Sequence, residues 1–194
     1  WEIGHKNADY PTLLNWWNAN SFDRPLYIGQ DLKRSIDKNE LLTKIRQSRE
    51  MSFVEGNCYW YGYLITENSD KAADILKSRI HPAKSLIPPY THMHKRRPDK
   101  VKNLSEVFTE DMHFLTWDHK KQPDNPEAAQ YFVVYRFRKG EKVDIGKAEN
   151  IRDVTPDNFY ILPYEGGKNN YVYVVTALDA FKNESKAKKI KVKQ

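Results

Sequence analysis

Tyr171-Val172-Tyr173-Val174-Val175-Thr176-Ala177-Leu178-Asp179 is the stretch whose reading decides the fold. It is dominated by β-branched and aromatic side chains and contains neither Gly nor Pro. Such residues fit a pleated, packed surface and lose side-chain freedom in a helix, so the run predicts a strand over 171–178. Working outward, related runs recur at Val101–Phe108, His113–Trp117, Gln130–Phe137, Asn158–Leu162 and Lys186–Val192. Turn-forming stretches separate them, the clearest being Gln122-Pro123-Asp124-Asn125-Pro126. Roughly seven short strands in about a hundred residues is the count of a two-sheet β-sandwich. Near the end, Lys189-Ile190-Lys191-Val192-Lys193 alternates strictly. That pattern buries one face and puts lysines on the other, a common protection for an edge strand.

Upstream of about residue 90 the pattern changes. Tyr10-Pro11-Thr12-Leu13-Leu14-Asn15-Trp16-Trp17 carries apolar residues at helical spacing, with Pro in the first turn. Pro25-Leu26-Tyr27-Ile28-Gly29-Gln30 reads as a short strand apolar on both faces. A second amphipathic helix is predicted over 39–49, and Ser52 to Tyr61 reads as another strand. Asn68-Ser69-Asp70 is placed to cap a helix over 71–79. Helix and strand in alternation imply βα units around a parallel sheet. Pro88-Pro89 and the basic stretch that follows interrupt both patterns. The expected organisation is therefore an α/β region over 1–90, a linker over 91–98 and an all-β domain over 99–194.

Composition limits the function classes. The 194 residues are 39% hydrophobic, 30% charged and 13% aromatic, and no apolar run approaches the roughly 18 residues of a membrane span. The single Cys58 rules out an internal disulfide. With no nucleophile spacing around it, it reads as a small apolar residue. The net charge of +6 comes from the second half, mainly from His94 to Lys102 and from the lysine-rich tail. No recognition helix or aromatic-studded RNA-binding motif accompanies these charges, so they read as a solvated face and not as a nucleic-acid surface. His92-x-His94 supplies only two potential metal ligands, so no metal centre or cofactor is expected.

Two resemblances add to this. With Trp117 and Tyr135 in earlier strands and Leu162-Pro163 before it, the Tyr171–Asp179 strand resembles the sixth strand of a fibronectin type III domain. The resemblance covers about 99–194. That family usually turns on Gly after this strand; here Asn183 stands in the turn, and Asn tolerates a left-handed backbone. In the first half, Trp1-Glu2-Ile3-Gly4-His5, Leu26-Tyr27-Ile28-Gly29, the Gly56–Tyr61 strand and the Leu86-Ile87-Pro88-Pro89 ending follow one order. They resemble the last third of the glycoside-hydrolase-like ten family. These are (β/α)8 (TIM) barrels of bacterial, often Bacteroidetes, secreted or surface-attached proteins. The resemblance implies the last strands and helices of a barrel, cut from a longer hydrolase whose catalytic carboxylates lie upstream. It also implies an extracytoplasmic glycosidase acting on a polysaccharide or oligosaccharide. A non-catalytic carbohydrate-binding or adhesion protein built from the same modules is the alternative.

On that reading the site lies at the C-terminal ends of the strands. Trp1, His5, Gln30, Tyr59, Trp60 and Tyr61 are the expected sugar-binding residues, because rings pack on pyranose faces and polar groups bind hydroxyls. Glu2 and Asp31 are the remaining catalytic candidates, since hydrolysis needs two carboxyl groups about 5–10 Å apart. Each has a structural alternative: Trp1 packed under a loop, Glu2 solvated, Asp31 capping the next segment. An incomplete barrel would leave an unpaired sheet edge, so self-association through that edge is expected.

Overall fold

Asp9 opens the first helix, α1 (Tyr10–Ala19), by accepting a hydrogen bond from the Thr12 amide at 3.2 Å, with Pro11 in the first turn. The computed structural model describes residues 1–119, 122–167 and 170–193 and divides into two units, Trp1–Pro82 and Ala83–Gln194. In the first unit β1 (Leu26–Asp31) and β2 (Val54–Trp60) pair in parallel, as expected. Between them run α2 (Leu32–Asp37) and α3 (Leu41–Arg49). Side chains facing the helices form the core: Ile28 packs with Tyr10 and Leu14, while Leu32, Leu41 and Ile45 meet Leu64, Leu76 and Ile80. Each fully buried Leu or Ile stabilises the unit by about 1.5–3 kcal/mol.

The helix expected over 71–79 is broken. A 3-10 turn (Ser69–Lys71) leads into α5 (Ala72–Ile75) and then a π-turn (Leu76–Ile80); α4 (Tyr63–Thr66) precedes them. Asn68, Asp70 and Lys71 all take positive φ, between 51° and 58°. The Asn68 side chain accepts from the Asp74 amide at 3.2 Å and donates to the Asp74 carboxylate at 2.9 Å. Local side-chain bonds of this kind compete with a regular helix start.

The second unit has two sheets. One has strand order β3 (Lys102–Phe108), β4 (His113–Asp118), β7 (Phe159–Ile161). The other runs β6 (Ile151–Thr155), β5 (Tyr131–Arg138), β8 (Asn170–Leu178), β9 (Lys188–Lys193). All pairings are antiparallel, and β5 meets β8 in unbroken register from Tyr131↔Leu178 to Arg138↔Tyr171. Leu115 and Trp117 of the first sheet pack against Phe132, Val134, Tyr173 and Val175 of the second. The far face of the larger sheet is also covered: Val133, Tyr135 and Val174 lie against Leu86, Val143 and Ile145. Burial on both faces explains why the 171–178 run is nearly continuously apolar instead of alternating.

Three expectations need correction. The strand Ile151–Thr155 was not anticipated; only Ile151 and Val154 mark it as apolar, and it is an edge strand. The division between units falls at Pro82/Ala83, not at residue 90, and 91–98 belongs with the sandwich. Tyr90 N–H donates to the Phe181 carbonyl at 2.8 Å, the His94 carbonyl accepts from the Asn183 side chain at 3.2 Å, and Pro98 is buried. The left-handed residue in the turn before β9 is Lys182 (φ 65°), not Asn183. Asn183 instead faces inward, 5% exposed, where its amide and side chain donate to the Asp179 carboxylate at 2.8 and 2.9 Å.

Candidate functional site

Alternation along a strand sends neighbouring side chains to opposite faces. In β1, Ile28 and Gln30 face the helices, so Tyr27, Gly29 and Asp31 face the other way. Gly56, Cys58 and Trp60 of β2 share that second face. The Tyr27 ring lies over Gly56, and a methyl group placed on Gly29 would collide with the Trp60 ring. The two glycines thus let rings lie flat on the sheet. No helix of this unit covers the face: Tyr27 and Cys58 are exposed, and Trp60 is 45% exposed.

At the C-terminal edge, Asp31 pairs in register with Trp60, whose peptide bond to Tyr61 is cis. Tyr61, 63% exposed, stacks with Tyr63 at 6.0 Å between centroids and 26° between planes. The structure therefore brings Asp31, Trp60 and Tyr61 together at the strand ends and adds Tyr63, which sequence reasoning missed. Its spacing two residues beyond Tyr61 in an aromatic-rich stretch was the available signal.

The other expected residues are engaged elsewhere. Gln30 is 1% exposed and faces the helices. Its amide nitrogen donates to the Tyr10 hydroxyl at 3.0 Å and to Asn57 Oδ1 at 2.8 Å, tying β1 to α1 and β2. Tyr59 also points to the helix side, where its hydroxyl and His81 Nε2 share a hydrogen bond of 2.9 Å. Desolvation pushes the Tyr59 phenol up to about 12 and holds His81 below its ordinary value, with the Arg49 charge a lesser cause for His81. His5 accepts the Asn7 and Ala8 amides on Nδ1 at 3.2 and 3.0 Å, so it shapes its own loop. Trp1 sets its ring edge-on to Tyr10 at 6.2 Å, and its carbonyl accepts from Lys44.

The two carboxylate candidates are both bonded. Glu2 binds Lys38 and Arg34, the latter at 3.2 Å, and the hydrogen bond from Lys38 holds its carboxyl below the ordinary range. A general acid at neutral pH needs the opposite shift. Asp31 caps α2 by accepting from the Arg34 amide at 3.0 Å. Lys44, unmarked by the sequence reading, is buried and held by Glu40 at 2.9 Å, the Trp1 carbonyl at 2.8 Å and Ser35 at 3.2 Å. It anchors the first residues of the chain to α3.

His92 and His94 do not form a metal-type cluster: His94 packs on Phe181, His92 on Tyr90, and among the described residues no three His, Cys, Asp or Glu side chains converge. No described helix is long and apolar enough to cross a membrane. Chemically, the strand ends offer ring faces beside one carboxylate, an arrangement suited to holding a sugar.

No protein-family profile matches the chain. It is 28% identical over 201 residues to "Glycosyl hydrolase YngK" of Bacillus subtilis (strain 168), covering 97% of this chain and 39% of that protein. The chain thus spans well under half the length of this relative. Among solved structures it resembles the FN3tt mutant at 15% identity, TM-score 0.37, over 50% of this chain and 97% of that one. It also resembles the glycoside hydrolase domain of Endo-D from Streptococcus pneumoniae R6 at 12% identity, TM-score 0.35, over 52% of this chain and 16% of that one.

Proposed function

We propose that this chain is part of a glycoside-hydrolase-type protein acting on a polysaccharide or oligosaccharide. On this reading the first unit supplies the last strands and helices of a (β/α)8 barrel and part of its sugar-binding rim. The second is a fibronectin type III-like accessory module. The observation that carries the reading is the lopsided β1–β2 pair, with helices on one face and Tyr27 and Trp60 open on the other. In a barrel that second face is the interior, and the strand ends form the binding site. The similarity to a glycosyl hydrolase across nearly the whole chain supports it. The protein works outside the cytoplasm if it follows the family it resembles.

A non-catalytic carbohydrate-binding role is the second reading. What favours it is that neither carboxylate of the rim is placed as a proton donor: ion pairs keep Glu2 charged, and Asp31 caps α2. The test is calorimetric titration of the whole chain with neutral oligosaccharides of several linkages. Trp60→Ala and Tyr61→Ala should each weaken binding about tenfold or more, whereas Tyr164→Ala, exposed on the other unit, should not. Sugar binding unchanged in both rim variants would sink the reading. Turnover of an aryl glycoside that stops in Glu2→Gln would eliminate the non-catalytic alternative.

A further inference from the structure

A cavity of about 700 Å³ opens within the second unit. Its volume lies inside the roughly 300–1,000 Å³ range of small-molecule sites. One wall is the Arg96–Lys102 segment leading into β3, another is the 122–129 loop, and Asp118, Phe132 and Asn158 complete the lining. The loop wall is held in place by the Gln130 amide, which donates to the carbonyls of Gln122, Asn125 and Ala128 at 3.5, 3.1 and 3.4 Å. Backbone bonds from Ala180 to Pro126 and from Asn125 to Gln122 fix it further.

The charges are unequally satisfied. Arg96 meets Glu127 only at 4.0 Å. Arg97, Lys100 and Lys102 have no carboxylate within ion-pair distance among the described residues. Elsewhere in the unit Arg136 and Lys84 are paired with Glu165 and Asp153 at 2.7 and 2.9 Å. Four cations stand against three acids along these walls, and those without an ion-pair partner suit an anionic group. The same walls also carry Asp99, Asp118 and Glu127 with the amides of Gln122 and Asn125, which suit hydroxyl groups.

We propose that this cavity binds an anionic saccharide of the uronic-acid type. The cations take the carboxylates, and the amides and acids take the ring hydroxyls. A single-stranded nucleic acid fits less well, because its bases need exposed rings to stack on. Phe132, the one phenyl ring of the lining, is buried and cannot stack with a base. The site is independent of the strand-end rim.

The test titrates the whole chain with an oligogalacturonate, a neutral cello-oligosaccharide of equal length and a single-stranded oligodeoxynucleotide. An Arg97→Gln/Lys100→Gln variant is compared with Lys189→Gln/Lys191→Gln, which removes equal charge from exposed positions on β9. The expected result is oligogalacturonate binding that weakens about tenfold or more in the first variant and less than about twofold in the second. The neutral sugar should bind much more weakly. Equal loss in both variants, equal binding of the neutral sugar, tighter binding of the oligonucleotide or no binding of the oligogalacturonate would each overturn the proposal.

Discussion

A lysine that is 2% exposed must replace its hydration, and Lys44 does so with a carboxylate, a carbonyl and a hydroxyl. Removing one side of such an arrangement leaves buried charge uncompensated, so Lys44→Ala should cost about 3–5 kcal/mol by urea unfolding. The paired change Lys44→Met/Glu40→Gln should cost distinctly less, because neither charge is then stranded. A second residue-scale prediction concerns pH. His81 titrates below its ordinary value in the folded chain, so below about pH 6.5 the unfolded chain takes up a proton that the folded chain resists. Stability should therefore fall as pH is lowered through that window, and His81→Asn should flatten the difference in melting temperature between about pH 8 and about pH 5. An unchanged pH profile in the variant would remove His81 as its source. At this scale the arrangement of the candidate residues was partly legible. Trp60, Tyr61 and Asp31 follow from a strand end rich in rings. The inward turn of Gln30 and Tyr59 was hidden, because strand parity gives two faces without saying which one the helices cover. Lys44 was hidden because helical periodicity marks apolar positions and passes over a lysine paired four residues back.

At the scale of elements, most strands were readable from β-branched runs, and the parallel β1–β2 pair from its apolar faces. What failed was local: the 151–155 strand offers two apolar residues, and the side-chain bonds of Asn68 break a helix that its spacing favours. The sequence predicts a linker over 91–98, because its charges and the prolines before it resemble one. Prolines remove donors yet still allow packing, and here Leu86 covers the larger sheet while Tyr90 and His94 bond to the turn before β9. A chain of residues 83–194 should therefore fold alone and be more stable than one of 99–194 by about 2–4 kcal/mol, from one packed leucine and the lost hydrogen bonds. Guanidinium melts of the two fragments decide; equal midpoints would make the segment a true linker.

For the whole molecule, the charge of +6 opposes association while the open face of β1–β2 favours it. Weak self-association that strengthens with salt is expected in sedimentation velocity, and Tyr27→Lys on the open face should abolish it. A monomer at every salt concentration would show that the face is quiet in solution. The placement of the five tryptophans has a practical consequence of its own. Trp1, Trp16, Trp17 and Trp60 belong to the first unit and are already wetted, whereas Trp117 is sealed between the two sheets of the second. Emission from the four exposed indoles is red-shifted before any denaturant is added, so the further shift on unfolding comes almost wholly from Trp117. Helical ellipticity, in contrast, comes from the first unit, since α1 to α5 all lie there. Recorded together, the two optical signals give separate melting curves for the two halves of one unlabelled chain.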